Sequence, residues 1–274
     1  MKKTFDLLAF ELHRVRILYP VLVLIIALMQ ITAIVDTNQN YMSMLEHFQI
    51  TGQGNLLDFK EYWGPTQFTA VTGHLAYVYS LFVGVFTLLI YSVVIWYQDW
   101  WGKNNLSYRL LALPGSRMSI FFSKLLAILF MMVGLIAFQV VMLYVGNELF
   151  ELISHPELLE STSIRQNIEY NAFLYVILPN LIFDFFLHYT IGIAALTLVF
   201  MMIVIALCYK LKGMFVNAAI IVGGIALGVA GARFDVFRYL FVQEILYVAI
   251  ALSFLVFFLS LWISRKLLQE KITV

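Results

Sequence analysis

Apolar residues in this chain come in long blocks rather than in a helical or alternating rhythm. Six blocks stand out: Ile17–Val35, Leu75–Tyr97, Ile120–Val145, Phe185–Tyr209, Met214–Ala230 and Ile245–Ser264. Each reaches or nearly reaches the length needed to cross roughly 30 Å of hydrocarbon at about 1.5 Å per residue. Val21–Met29 and Thr197–Leu207 run apolar on every face, whereas a barrel strand would be about ten residues long and alternate. Lipid offers the backbone no hydrogen-bond partner, so each span must satisfy its own. The pattern predicts an all-α polytopic membrane protein with six transmembrane helices.

The intervals between the blocks carry their own signals. In Lys2–Arg16 the residues Phe5, Leu8, Leu12 and Val15 recur at helical spacing, with the charged residues mostly on other faces. This predicts an amphipathic helix over residues 1–16, lying in the headgroup layer with its basic residues on anionic lipid. It serves either as a plain anchor or as an elbow that moves with the first span. Residues 36–74 form a loop with a short helix at Tyr41–Gln49, then Gly- and Pro-containing turns. Residues 146–184 form a second loop, acidic at first and then apolar but too short to span, with Pro179 interrupting it. A helix lying on or dipping into the leaflet fits that piece. Residues 231–244 fit a shallow helix of the same kind.

Composition agrees with this reading and charge orients it. Of 274 residues, 62% are hydrophobic and 12% charged, about half the charged share of a soluble chain. With the N-terminus inside, thirteen Lys and Arg fall on the inner side and four on the outer. The positive-inside rule therefore predicts that both termini are cytoplasmic, and the whole reads as one membrane domain, 1–274. The charged residues interrupting the first apolar run argue against a cleaved signal peptide. Cys208 is the only cysteine, which excludes an intramolecular disulfide and a cysteine zinc site.

Few ionisable groups fall within the spans, which argues against a proton relay or an ion-coupled carrier. Asp184 and His188 are the exception. Spaced four apart at the start of the fourth span, they share one helix face and are, with Pro179, candidates for substrate or gate contacts; a hydrated interfacial pair is the plainer reading. Gly224 and Gly228 form a GxxxG pair, which permits close helix packing, within the subunit in preference to between copies. Glu148, Glu151 and His155 could be spaced for a metal, but an exposed acidic helix accounts for them, and no metal site is expected. Neither GxxxxGK[ST] nor HExxH occurs, so the chain has no Walker A phosphate loop and is not expected to be an enzyme.

The interval 98–119 is the most informative. Trp96, Tyr97, Trp100 and Trp101 sit where an aromatic belt is expected. Gly102-Lys103-Asn104-Asn105 then makes a capping turn, Leu106–Leu113 reads as two helical turns, and Pro114-Gly115 stops them. On physics alone an ordinary interfacial hairpin serves equally well. The run LSYRLLALPGSRMSIFFSKLLA, however, resembles the segment between the second and third spans of type-2 ABC exporter permeases. In that family a short helix ends in Leu-Pro-x-Ser-Arg with a Lys a few residues into the next span, matched here by Leu113, Pro114, Ser116, Arg117 and Lys124. The amphipathic start and six-span layout also match. The chain departs from the family in its long first loop and in a broken segment before the fourth span, where the family has one between the fifth and sixth.

What the resemblance implies is a coupling helix at 104–113 seated on a cytosolic ATPase. The coupling residues would be Asn104, Asn105, Leu106, Ser107, Tyr108, Arg109, Leu110 and Leu111, with Pro114 and Arg117 behind them. The implied partners are an ABC ATPase dimer, a second permease copy or paralogue, and membrane lipid, with no nucleic acid. ATP and Mg would sit on the ATPase, with no cofactor on this chain. The expected function is export across a bacterial plasma membrane, by resemblance of amphipathic or antimicrobial peptides. The alternatives are a non-transporting sensor, immunity or scaffold subunit, or an exporter of a small hydrophobic compound or lipid.

Overall fold

The computed structural model describes residues 2–52, 54–101, 116–233 and 241–270. Those residues form eleven helices and no strand. They are α1 (Lys2–Arg14), α2 (Leu18–Ile50), α3 (Leu56–Trp63), α4 (Phe68–Gly73), α5 (Leu75–Trp101) and α6 (Met118–Ile153). Then follow α7 (Ile164–Tyr170), α8 (Ala172–Ile177), α9 (Ile182–Tyr209), α10 (Leu211–Arg233) and α11 (Val242–Glu270). Six of them, α2, α5, α6, α9, α10 and α11, are long and apolar enough to cross a membrane. The chain is an all-α polytopic membrane protein.

Two spans run well past their apolar blocks. α2 has 33 residues and α6 has 36, about 50 and 54 Å at 1.5 Å per residue, against roughly 30 Å of hydrocarbon. The expected break after Val35 does not occur, and the short helix expected at Tyr41–Gln49 is the end of α2 itself. The sequence holds no Gly or Pro between Val21 and Thr51 to stop it. The polar extension also has an apolar stripe, on which Leu45 and Phe48 are buried against Phe59. α2 ends only at Thr51 and at Gly52, whose φ of 68° suits glycine.

The described contacts divide the chain into two compact units. The loops fold on the extended ends of α2 and α6, and this gives the unit that holds them a core of its own.

One unit comprises Val15–Leu88 and Phe130–Ile182. Its core gathers Ile34, Phe68, Val71, Tyr77, Leu143, Phe150 and Leu174. The intervals expected as loops are ordered by caps. Asn55 and Asp58 close a capping box on α3, and Ser163 and Gln166 close one on α7. The Asn171 carboxamide oxygen accepts from the amides of Phe173 and Leu174 to start α8. Two backbone bonds, Thr66 N–H to Leu158 O at 2.9 Å and Glu160 N–H to Thr66 O at 3.0 Å, tie the two intervals together. Deeper in this unit is a polar knot. Gln30 Nε2 donates to Ser80 Oγ at 3.0 Å and to Gln139 Oε1 at 2.8 Å, and Gln139 Nε2 donates to Tyr77 Oη at 2.6 Å. In an apolar interior such bonds join helices that hydrophobicity alone would not.

The other unit comprises Met1–Arg14, Leu89–Leu129 and Phe183–Val274. Phe200 packs edge to face on Trp96 and on Phe121, with centroids 5.6 and 5.5 Å apart, and Trp96 and Phe121 lie tilted at 6.0 Å. α9 turns directly into α10 at Lys210, which adopts φ 50°. The turn is so tight that a Cβ on Gly213 would stand 2.5 Å from the Ile205 carbonyl oxygen.

Candidate functional site

The chemistry of this chain concentrates in the second of these units, where three helices bring four charged side chains together, three of them buried and Arg14 half-buried. Glu11 and Arg14 come from α1, Asp99 from the last turn of α5 and Lys124 from the start of α6. Lys124 Nζ donates to Glu11 Oε1 at 2.6 Å, to Asp99 Oδ2, and to the Ile95 carbonyl at 2.8 Å. All three ammonium protons are therefore used. Arg14 donates to the remaining oxygens, Glu11 Oε2 at 3.1 Å and Asp99 Oδ1 at 3.0 Å. Each carboxylate thus bridges both cations, and the four groups form a closed ring of alternating charge with no net charge.

The ring is buried. The side chains of Lys124, Glu11 and Asp99 are 1%, 4% and 3% exposed. The Lys124 ammonium also lies 5.7 Å from the centre of the Trp96 ring, within cation–π reach. Removing such charges from water costs several kcal/mol per ion, and only mutual pairing with every donor satisfied offsets that cost. The ring meets that condition. Its members therefore move together, because separating any pair strands a charge in a medium of low dielectric.

The local sequence explains how α1 joins it. α1 buries Leu8 and Glu11 and half-buries Leu12 and Arg14, while Phe5 is 61% exposed. The expected apolar face, which contained Phe5, is thus rotated. Glu11 and Arg14 face the protein instead of the headgroups. The pattern failed here because a buried ion pair looks polar in sequence, and hydropathy assigns it to water. Lys124 was the available signal: an ammonium some 9 Å inside an apolar helix, at 1.5 Å per residue, requires a carboxylate partner.

The ring also brackets the connector predicted to couple. Asp99 precedes and Lys124 follows residues 102–115. Asn104, Asn105, Leu106, Ser107, Tyr108, Arg109, Leu110, Leu111 and Pro114 lie outside the described residues. Arg117 is described, and its Nη1 donates to the Leu268 carbonyl at 2.9 Å, one of the last carbonyls of α11, which lack intrahelical partners. The roots of the connector are therefore fastened to α1 on one side and to the end of α11 on the other.

The remaining candidates are placed without being gathered. Asp184 lies in the first turn of α9, where a helix N-terminus favours negative charge, and His188 one turn later; both are half-buried. Pro179 is half-buried in the connection before α9. The neighbouring Asn180 side chain donates to Glu169 Oε1 at 3.0 Å. Hydrogen bonds from Arg165 and then Asn180 hold the Glu169 carboxyl below its ordinary pKa. Gly224 and Gly228 correct an expectation: both are exposed, and a Cβ on either would meet nothing within 4 Å. Among the described residues the pair packs against no helix, and Ile221–Val229 is exposed throughout. Among the described residues, no three His, Cys, Asp or Glu side chains gather as metal ligands.

No protein-family model, curated protein or solved structure matches the chain.

Proposed function

We propose that this chain is the transmembrane subunit of an ATP-driven exporter in a bacterial plasma membrane, moved by a separate ATPase that pushes on the 104–113 connector. The single observation that supports this reading most is the buried ion ring at the connector's roots. A connector that only joined two spans would need no such fastening. A handle does, because a push must reach several helices before the handle itself deforms. Here a displacement of the connector would be carried by Asp99 and Lys124 into α5 and α6, and through Glu11 and Arg14 into α1. The Lys and Arg distribution would put this end inside the cell, where ATP is. With no phosphate loop on this chain, ATP and Mg would be held by the ATPase, and a second permease chain, the same or a paralogue, would complete the pathway. The cargo implied by the resemblance is an amphipathic peptide.

The test is co-expression with the ATPase encoded beside it, followed by co-purification and ATPase assay in lipid. The expected result is a stable complex whose ATPase responds to the permease. Arg109→Glu with Leu110→Asp should abolish the association, and Lys124→Met should keep the association but uncouple ATP hydrolysis from transport. If no ATPase binds, or if the connector variant binds as well as the wild type, the proposal fails.

A further inference from the structure

The polar knot of the unit formed by Val15–Leu88 and Phe130–Ile182 occupies one layer of a three-helix stack. On one side of it, Gly84 of α5 lets Ile26 of α2 and Leu135 of α6 close in. A Cβ on Gly84 would stand 3.3 Å from Ile26 Cδ1 and 3.7 Å from Leu135 Cδ1. One helical turn along each helix come Gln30, Ser80 and Gln139. A further turn along, Ala33, Ile34, Tyr77 and Leu143 belong to the apolar core. The side chains of the polar layer are sealed in: Gln30, Ser80, Gln139 and Tyr77 are 1%, 0%, 4% and 1% exposed. Gln30 stands about 18 Å along α2 from Leu18 at 1.5 Å per residue, inside a hydrocarbon layer of roughly 30 Å.

The bonds of this layer run in one direction and stop short of closing. Gln30 Nε2 uses both of its protons, on Ser80 Oγ and on Gln139 Oε1. The Ser80 hydroxyl donates to the Tyr77 carbonyl at 2.6 Å. Gln139 Nε2 donates to Tyr77 Oη. One group is left over at each end of the chain of bonds. Gln30 Oε1 is a buried acceptor with no donor, and the Tyr77 hydroxyl proton has no acceptor among the described residues. Both belong to the same enclosed layer, where an unpaired polar group carries its full desolvation penalty.

The two loose ends define what would satisfy them. The ligand must accept one hydrogen bond and donate another. Apolar layers on both sides require it to be small. It must be neutral, because the layer holds no carboxylate and a lone cation in an apolar interior would go uncompensated. Turning both carboxamides end for end leaves the same corner of Gln30 unpaired, now as a donor, with Tyr77 Oη as the free acceptor. Water, which donates and accepts, fits either arrangement.

We infer that this layer binds one internal water molecule, which accepts from the Tyr77 hydroxyl and donates to Gln30 Oε1. The water closes Gln30, Gln139 and Tyr77 into a cycle whose bonds all run the same way, and bonds in such a chain polarise and strengthen one another. The joint between α2, α5 and α6 is then water-mediated, and the water is a structural member of it. The inference is independent of the transport reading.

Hydroxyl-radical footprinting of the full chain in nanodiscs, with X-ray radiolysis and mass-spectrometric readout, tests it. Radicals made from a bound water label the side chains that hold that water. Tyr77 should be labelled, whereas Phe150, equally buried but in apolar surroundings, should not. Gln30→Leu removes the acceptor and should bring the labelling of Tyr77 down to the level of Phe150. Tyr77→Phe, read at the same position, serves if that variant misfolds by circular dichroism. The proposal is overturned if Tyr77 in the wild type is labelled no more than Phe150, or if Gln30→Leu leaves the labelling unchanged. A rise in unfolding temperature in sodium over potassium at equal ionic strength would identify a cation in place of the water and overturn it as well.

Discussion

Lys124 is the residue on which the charge balance of the α1–α5–α6 ring depends. It supplies all three of its protons to Glu11, Asp99 and the Ile95 carbonyl, and its side chain is 1% exposed. Lys124→Met removes the ammonium and leaves two carboxylates sharing Arg14. Breaking one member out of a buried ion network costs about 3–5 kcal/mol, and a loss of that order in thermal unfolding of the purified chain is expected. Lys124→Arg keeps the charge but not the compact three-way geometry, so it should fall between. Adding Glu11→Gln to Lys124→Met should recover part of the loss, because the double variant strands one fewer carboxylate. A double-mutant cycle with no coupling between positions 11 and 124 would refute the ring as an energetic unit.

The helical hairpin of α9 and α10 is decided by two residues at its corner. Lys210 takes φ 50°, and Gly213 lets the start of α10 approach the Ile205 carbonyl. Gly213→Ala places a methyl against backbone that cannot swing away. A cost of about 1–3 kcal/mol is expected, the range for forcing extra volume into a packed site. Gly224→Ala and Gly228→Ala meet open space and should change the stability of the isolated chain by less than about 0.5 kcal/mol. Unfolding of the three variants in detergent measures this contrast. Small residues look alike in sequence: the GxxxG spacing drew attention to Gly224 and Gly228, while Gly213, where a Cβ would meet backbone, belongs to no such spacing. Spacing reports what a helix could pack against and not whether a neighbour is there. The same limit applies to α2, where a turn toward polar composition after Val35 suggested a loop although nothing in the backbone chemistry ended the helix.

At the scale of the whole molecule, two units each hold one buried polar system, the ion ring in one and the Gln30–Ser80–Gln139–Tyr77 knot in the other. Their chemistry differs: the ring is ionic and closed, whereas the knot is neutral and leaves Gln30 Oε1 without a partner among the described residues. Gln139→Leu should therefore cost less than Lys124→Met, about 0.6–2 kcal/mol for interhelical hydrogen bonds in an apolar setting. Hydrogen exchange should localise each effect, with Gln139→Leu loosening Val15–Leu88 and Phe130–Ile182, and Lys124→Met loosening the other unit. If either substitution loosens both units equally, they are not separate bodies in stability.

The sequence by itself determined the class of this protein and the number of its spans. Hydropathy is a property of contiguous residues, and a run of apolar side chains long enough to cross lipid has that meaning wherever the rest of the chain goes. It also located the connector, because Pro114-Gly115 and the flanking aromatic belt are local signals. Only the tertiary structure decided that Glu11, Arg14, Asp99 and Lys124 close into one ring, since Glu11 and Lys124 lie 113 positions apart and neither side chain names its partner. Tertiary contacts likewise carried α2 and α6 past their apolar ends, turned the expected loops into capped helices on a second core, and left Gly224 and Gly228 facing outward. In each case the deciding energy comes from desolvation and packing between distant segments, which exists only once the helices have met.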